Sequence, residues 1–258
     1  MRSLPFVLGL VLLGACDKPP VDWSDPVPIG QASGARRLVV DSAGHARFVA
    51  DSIALPSVPN APGLCASSIR SARGISELFV AWWSMRRDSS AVIYTAASRD
   101  GGATWGKSAP VDTSDVSTRG CDRPPPSVTA VGDDVYVAYS MSASDGTAVW
   151  FAHFMGNMLH SPVAVIYGDH LVTTALAAEG DRVALAYEEP NGTRPRIELA
   201  LSNTQGHIFE AHTTATRDDD SGVDPAVALA GDAIAVSWRT PASSDTSGAR
   251  VVRIGRLP

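Results

Sequence analysis

The feature that most restricts this chain is a self-similar segment returning at intervals of about fifty residues. "ELFVAWWS" from Glu77, "DVYVAYS" from Asp134, "RVALAYE" from Arg182 and "AIAVSWR" from Ala233 align on Trp82, Tyr139, Tyr187 and Trp238. Within each copy apolar residues alternate, the period that sends successive side chains to opposite faces of a strand. One face carries Leu78, Val80 and Trp82, then Val135, Val137 and Tyr139, then Val183, Leu185 and Tyr187, then Ile234, Val236 and Trp238. The other carries the small residues Ala81, Ala138, Ala186 and Ser237. A sheet apolar on both faces must be covered on both. A large face set against the next copy's small face stacks similar sheets around an axis.

"PSVTAVGD" from Pro126 and "PAVALAGD" from Pro225 place Gly-Asp at the turn before two of the aromatic strands, so each repeat reads as a four-stranded antiparallel blade. In the second copy the strands are expected at Ser127 to Val131, Val135 to Ser140, Ala148 to Phe154 and Pro162 to Tyr167. The expected fold is all-β, a β-propeller with five blades; four or six blades are the alternatives, and a β-sandwich is the competing architecture. The last copy stops after its third strand, "RVVRIGRL", and the N-terminal pair "RRLVVD" and "ARFVAD" has no complete blade. Mixing strands from both chain ends would cover the open edges.

Near its start the sequence has Arg2, an apolar run from Leu4 to Leu13, and then Gly14, Ala15 and Cys16. This is the pattern of a secretory signal, too short to span a bilayer. Leu13-Gly14-Ala15-Cys16 resembles the bacterial lipobox, which implies lipidation of Cys16 and anchoring in the cell envelope, at a membrane the sequence leaves open. Residues 1–16 are therefore expected to be the signal, the Pro-rich stretch 17–35 a flexible tether, and 36–258 a single propeller domain. Setting Cys16 aside leaves Cys65 and Cys121, an even pair in an oxidising compartment. They precede the aromatic markers of neighbouring repeats at equivalent places, so a disulfide is expected, with two free thiols as the alternative.

The net charge is -6, and no Lys/Arg cluster with interleaved aromatics occurs, which argues against nucleic acid as a partner. Arginines number 19 against 2 lysines. Guanidinium groups suit carboxylates and phosphates, although compositional bias accounts for the ratio better. G-x-S-x-G, P-loop, G-x-G-x-x-G and H-E-x-x-H motifs are absent. The histidines at 45, 153, 160, 170, 207 and 212 show no recognised ligand spacing, so neither a metal nor another cofactor is expected. "DDDSGVD" from Asp218 reads as a solvated acidic turn.

"SRDGGATW", Ser98 to Trp105, fits S-x-D-x-G-x-T-W and resembles the Asp-box, or bacterial neuraminidase repeat, of sialidase-like propellers. The resemblance implies a structural turn between the third and fourth strands of a blade, with Ser98, Asp100, Gly102 and Trp105 in structural roles. Ser202, Thr204, Gly206 and Phe209 repeat the spacing in a degenerate copy. In this family the box lies opposite the active face. The candidate ligand residues are therefore taken from the other end of the blades: Trp83, Arg86, Arg87, Arg123, Glu188, Glu189, Arg196, Asp224 and Arg239. Asp115, Asp145, His170, Tyr187, Arg194, Asp218 to Asp220 and Asp245 are further contributors.

Arginine, acids and aromatic rings together suit a sugar ligand. Sialidases of this fold combine an arginine triad with a tyrosine nucleophile, an assisting glutamate and an acid/base carboxylate. Here Arg36 and Arg37 lack the following Ile-Pro of the family element, and Arg196-Ile197-Glu198 comes too late in the chain. Tyr187 beside Glu188 is already explained by packing, so the catalytic residues stay unassigned. The expectation is a monomeric envelope lipoprotein that binds a glycan or a protein without catalysis. A glycosidase acting on an acidic sugar and a structural platform are the alternatives.

Overall fold

The computed structural model describes residues 19–30, 36–50, 53, 55–156, 158–241 and 248–258. Two short strands, β1 (Asp22–Trp23) and β2 (Val27–Pro28), precede a hairpin of β3 (Arg36–Val40) and β4 (Ala46–Ala50). The first blade is β5 (Arg70–Arg73), β6 (Leu78–Met85), β7 (Ala91–Ser98) and β8 (Ala109–Asp112). The second is β9 (Ser127–Val131), β10 (Asp134–Ala143), β11 (Gly146–Met155) and β12 (Met158–Gly168). The third is β13 (Thr174–Glu179), β14 (Arg182–Glu188), β15 (Ile197–Ser202) and β16 (Ala211–Thr214). The fourth is β17 (Val223–Ala230), β18 (Ala233–Arg239) and β19 (Arg250–Arg256), to whose free edge both β1 and β2 pair. All pairings are antiparallel.

The hairpins follow from local chemistry. Gly132, Gly180 and Gly231 each open a two-residue Gly-Asp loop between first and second strands, with φ of 63°, 57° and 58°. A positive φ at the first loop residue suits the right-handed twist of the flanking strands and carries no Cβ penalty in glycine. The four strands expected in the second repeat lie where they were read, three of them lengthened at their ends by residues that continue the ladders of β11 with β10 and with β12.

β5, β9, β13 and β17 are the innermost strands and neighbour one another in that order, while β3 lies against β17. Packing between blades sets the large face of one copy against the alanine-bearing face of its neighbour, which in the first two blades also carries Trp83 and Tyr136. Val135, Val137 and Tyr139 of the second blade meet Ala81 and Trp83 of the first. Val183, Leu185 and Tyr187 of the third meet Tyr136 and Ala138 of the second. Ile234, Val236 and Trp238 of the fourth meet Ala184 and Ala186 of the third. The small face of the fourth blade, with Ala235, receives Leu38, Val40 and Phe48 of the β3–β4 sheet. Trp82, on the last open face of the first blade, is covered by Leu55, Ala61, Leu64 and Ile69. Trp82, Trp83 and Trp238 are all enclosed, and each such burial contributes about 2 to 3 kcal/mol.

Chain closure departs from expectation. The stretch read as a tether contains Asp22 and Trp23, in register with Arg256 and Gly255, and Val27 and Pro28, in register with Val252 and Val251. Val21 is buried, and Arg253 lies over the Trp23 ring at 5.3 Å. The reason is the unpaired outer edge of β19, which offers backbone donors and acceptors that a nearby segment satisfies. The β3–β4 pair, thought available for that edge, forms its own two-stranded sheet instead. The signal segment and Cys16 lie outside the described residues.

Cys65 and Cys121 form a disulfide with Cα atoms 5.4 Å apart. Cys65 precedes a 3-10 turn at Ala66–Ser68 and donates its backbone N–H to the Trp83 carbonyl. The bond ties the segment leading into the first blade to the segment leading into the second.

Candidate functional site

Strands of a blade alternate in direction, so the loops between second and third strands share one end of the ring with the segments that join blades. The turns between third and fourth strands occupy the opposite end. Ser98 to Trp105 is at that second end, between β7 and β8. There Thr104 donates to Asp100 from its hydroxyl (2.5 Å) and its backbone N–H (2.8 Å). Ser98 Oγ donates to Asp100 and accepts the Gly102 N–H at 2.8 Å. These bonds pull the Asp100 carboxyl down to about 2, the Thr104 hydroxyl acting most strongly. Trp105 Nε1 reaches Ser57 Oγ at 3.0 Å. The degenerate turn has the same wiring: Ser202 Oγ accepts the Gly206 N–H, and Thr204 Oγ1 replaces the carboxylate in accepting the Ile208 N–H.

At the other end the nine candidate residues separate into three groups. Trp83 and Arg123 are enclosed by protein. Trp83 Nε1 donates to the Pro124 carbonyl at 2.8 Å and meets Tyr139 edge to face. The Arg123 guanidinium covers the Trp83 ring and places Nη1 2.9 Å from Asp115 Oδ2, with both side chains wholly buried. A charge that deep persists only when paired, so Arg123 and Asp115 brace the loops beside the disulfide. Arg86 is half-buried and donates to the Thr113 carbonyl and Ser90 Oγ, while Arg87 beside it is exposed.

The second group lies on the third blade. Arg196 donates to Asp218 at 3.2 Å, and the Glu189 backbone N–H donates to the Arg196 carbonyl. Tyr187 is turned into the layer shared with the second blade, its hydroxyl 3.5 Å from His212 Nδ1. Burial, with the charges of Glu198 and Glu189, pushes that phenol far above its ordinary range. It is not an available nucleophile at the ring centre.

The third group surrounds the starts of the innermost strands. Glu188 Oε1 accepts the Thr173 hydroxyl at 2.6 Å and the Asp224 backbone N–H at 2.8 Å. Asp224 takes a left-handed φ of 57° immediately before Pro225, a conformation that aspartate tolerates better than most residues. Its carboxylate accepts from Arg250 Nη2. Arg250 also lies over the Phe48 ring at 5.4 Å. Burial lowers the Arg250 pKa, with Asp224 opposing that shift and Arg239 adding to it. Burial likewise lowers that of Arg70, again opposed by Asp224. Arg250 is therefore paired with Asp224, Arg70 lies within reach of the same charge and Arg239 within reach of Arg250, while Arg239 is exposed with no ion pair among the described residues. Such a cluster has spare donors for a carboxylate or a polyol.

Asp224, Glu188 and Arg239 were legible as candidates from their place in the repeat, whereas Arg70 and Arg250 were not. Both stand at the first position of a strand whose start lies at this end, so extending the search from loops to strand starts would have found them.

No family model matches the chain, and no curated protein does. Among solved structures it is similar to a protein of unknown function from Dyadobacter fermentans, at 17% identity and a TM-score of 0.51 over 70% of this chain and 50% of that one. It is also similar to Trypanosoma rangeli sialidase in complex with the inhibitor DANA, at 11% identity and a TM-score of 0.50 over 88% of this chain and 40% of that one. The chain spans half or less of each of these proteins. At such identities the likeness is one of fold, and that fold is a sialidase-like β-propeller.

Proposed function

We propose that this chain is a five-bladed, Asp-box propeller lipoprotein that binds an acidic glycan of the cell envelope without cleaving it. The observation that carries the reading is a group of arginines at one end of the ring, with Arg250 paired to Asp224, Arg70 under the same charge, and Arg239 exposed beside Arg250 without an ion pair among the described residues. The group offers cationic donors beyond the one that Asp224 takes up. The β3–β4 sheet, packed on the fourth blade, takes the place of the fifth blade.

The anchor geometry agrees with outward presentation. Asp22 pairs with Arg256, the last residue of β19, whereas Arg250 is its first. A chain descending from a lipidated Cys16 therefore enters at the end opposite the arginines, and the cluster faces away from the bilayer. Only residues 17–21 separate Cys16 from β1, so the domain is held near the membrane.

The test is binding of the purified protein to immobilised sialylated and neutral glycans. Selective binding to the acidic set, weakened at least about tenfold (1.4 kcal/mol) by Arg239→Ala, is the expected result. Equal binding of both sets, or no effect of the substitution, would count against it. Release of 4-methylumbelliferone from its sialoside, lost in Arg239→Ala, would instead establish the glycosidase alternative.

A further inference from the structure

The structure brings His207 from the third blade to His153 and His160, which share one hairpin of the second, although the spacing of these residues in the sequence shows no ligand pattern. His153 near the end of β11 and His160 near the start of β12 face each other in register across their hairpin. Their rings stack with centroids 4.3 Å apart. His207 arrives from the degenerate turn between β15 and β16, with its centroid 4.6 Å from that of His153 and 5.1 Å from that of His160. One nitrogen from each ring lies within 4.8 Å of the other two.

We propose that His153, His160 and His207 form a binding site for one divalent transition-metal ion of the zinc type, at the end of the ring opposite the arginine cluster. Imidazole nitrogen is a preferred donor for such ions. A tetrahedral zinc with bonds of about 2.0 to 2.1 Å sets its donor atoms about 3.3 Å apart. The nitrogens of the trio lie within 4.8 Å of one another, and a small shift of the exposed His207 about its Thr204 contact would close the remaining gap.

Two observations point to a ligand rather than to simple ring packing. First, Nε2 of His153 and of His160 is buried with no hydrogen-bond partner among the described residues, and His153 as a whole is only 4% exposed. Buried polar atoms of this kind ordinarily find a partner, and a metal ion would supply one to both. Second, His207 Nδ1 lies 2.7 Å from the Thr204 carbonyl. A carbonyl only accepts, so Nδ1 carries the proton and the Nε2 lone pair is left to coordinate. This is the outer contact that orients metal-bound imidazoles.

The surrounding packing holds the turn where it must be. Gly206, next to His207, has φ of 82° and sits so close to Phe151 that a Cβ would come within 2.2 Å of the ring. Phe209 closes edge to face on the same Phe151 at 5.1 Å. Phe151 lies two residues before His153 on β11, so this contact aligns His207 with the β11–β12 pair. With three protein ligands and His207 at the surface, the fourth position opens to water or to a donor from a partner.

The experiment is equilibrium titration of the untagged protein with zinc against a competing chelator. Cobalt absorption in the same protein serves as a report on coordination. One zinc per chain is expected, with a four-coordinate cobalt spectrum. At the same free zinc, His207→Ala and His160→Gln are expected to bind no stoichiometric ion, while His45→Ala binds as the parent does. His207 is exposed, so its removal leaves the core intact, as near-ultraviolet dichroism would verify. The proposal is overturned if the parent protein binds no zinc, or if His207→Ala binds it as tightly as the parent.

Discussion

The Tyr139 hydroxyl donates to Asp112 Oδ2 at 2.7 Å, pinning the second strand of one blade to the outer strand of the blade before it. Tyr139 is fully enclosed and Asp112 nearly so. Asp112 Oδ1 is engaged separately by the Ser114 hydroxyl and N–H. Burial, then the Asp112 charge, pushes the Tyr139 phenol well above its ordinary range, so it stays a donor at every physiological pH. Removing the donor leaves a buried carboxylate oxygen short of a partner, which costs about 1 to 3 kcal/mol. Tyr139→Phe is expected to lower stability by that amount in urea unfolding with an unchanged denaturant slope. A variant as stable as the parent would remove the pin from the account.

The disulfide closes a separation of 56 residues. By the chain-entropy argument a loop of that size stabilises the fold by about 4 kcal/mol, through restriction of the unfolded chain. Replacing both Cys65 and Cys121 by serine is expected to reduce the unfolding free energy by about 2 to 5 kcal/mol. A loss below that range would show that the unfolded chain without the disulfide keeps residual structure that already restricts this loop.

Asp100 carries a pH signature. Its folded pKa of about 2 lies below the ordinary 3.8. A depressed carboxyl contributes stability that is present above its unfolded pKa and lost as pH falls through the folded one. Asp100→Asn is therefore expected to melt below the parent at neutral pH, with the gap closing between about pH 4 and pH 2. Melting curves at both limits decide the matter, and an undiminished gap at pH 2 would show that the charge is not what holds the turn.

Gly206→Ala meets two penalties at once: a left-handed φ of 82° and a Cβ within 2.2 Å of the Phe151 ring. The conformational cost is about 1 to 2 kcal/mol and the overpacking cost about 1 to 3 kcal/mol. A total loss of about 3 kcal/mol is expected in equilibrium unfolding. Gly180→Ala is the comparison, because its φ is also positive but nothing lies within 4 Å of its Cβ. Equal losses in the two variants would leave the Phe151 contact without energetic weight.

Much of this architecture is legible in single strands. Alternation around Trp82, Tyr139, Tyr187 and Trp238 specifies which residues share a face. The glycines at 132, 180 and 231 specify where hairpins turn, and the spacing of Cys65 and Cys121 anticipates their pairing. These are consequences of backbone sterics and two-residue periodicity, which act between near neighbours and are written locally.

Tertiary structure alone decided how the ring closes and which side chains meet. Nothing in the polar, Pro-rich run containing Asp22 and Val27 announces a strand. It becomes one because the edge of β19 has unpaired backbone groups within reach. Arg70 comes under the charge of Asp224, and His207 meets His153, only because successive blades turn equivalent ends to the same side. Repetition by itself predicts that ring, but the identity of the neighbours across it depends on loop lengths and packing summed over distant parts of the chain.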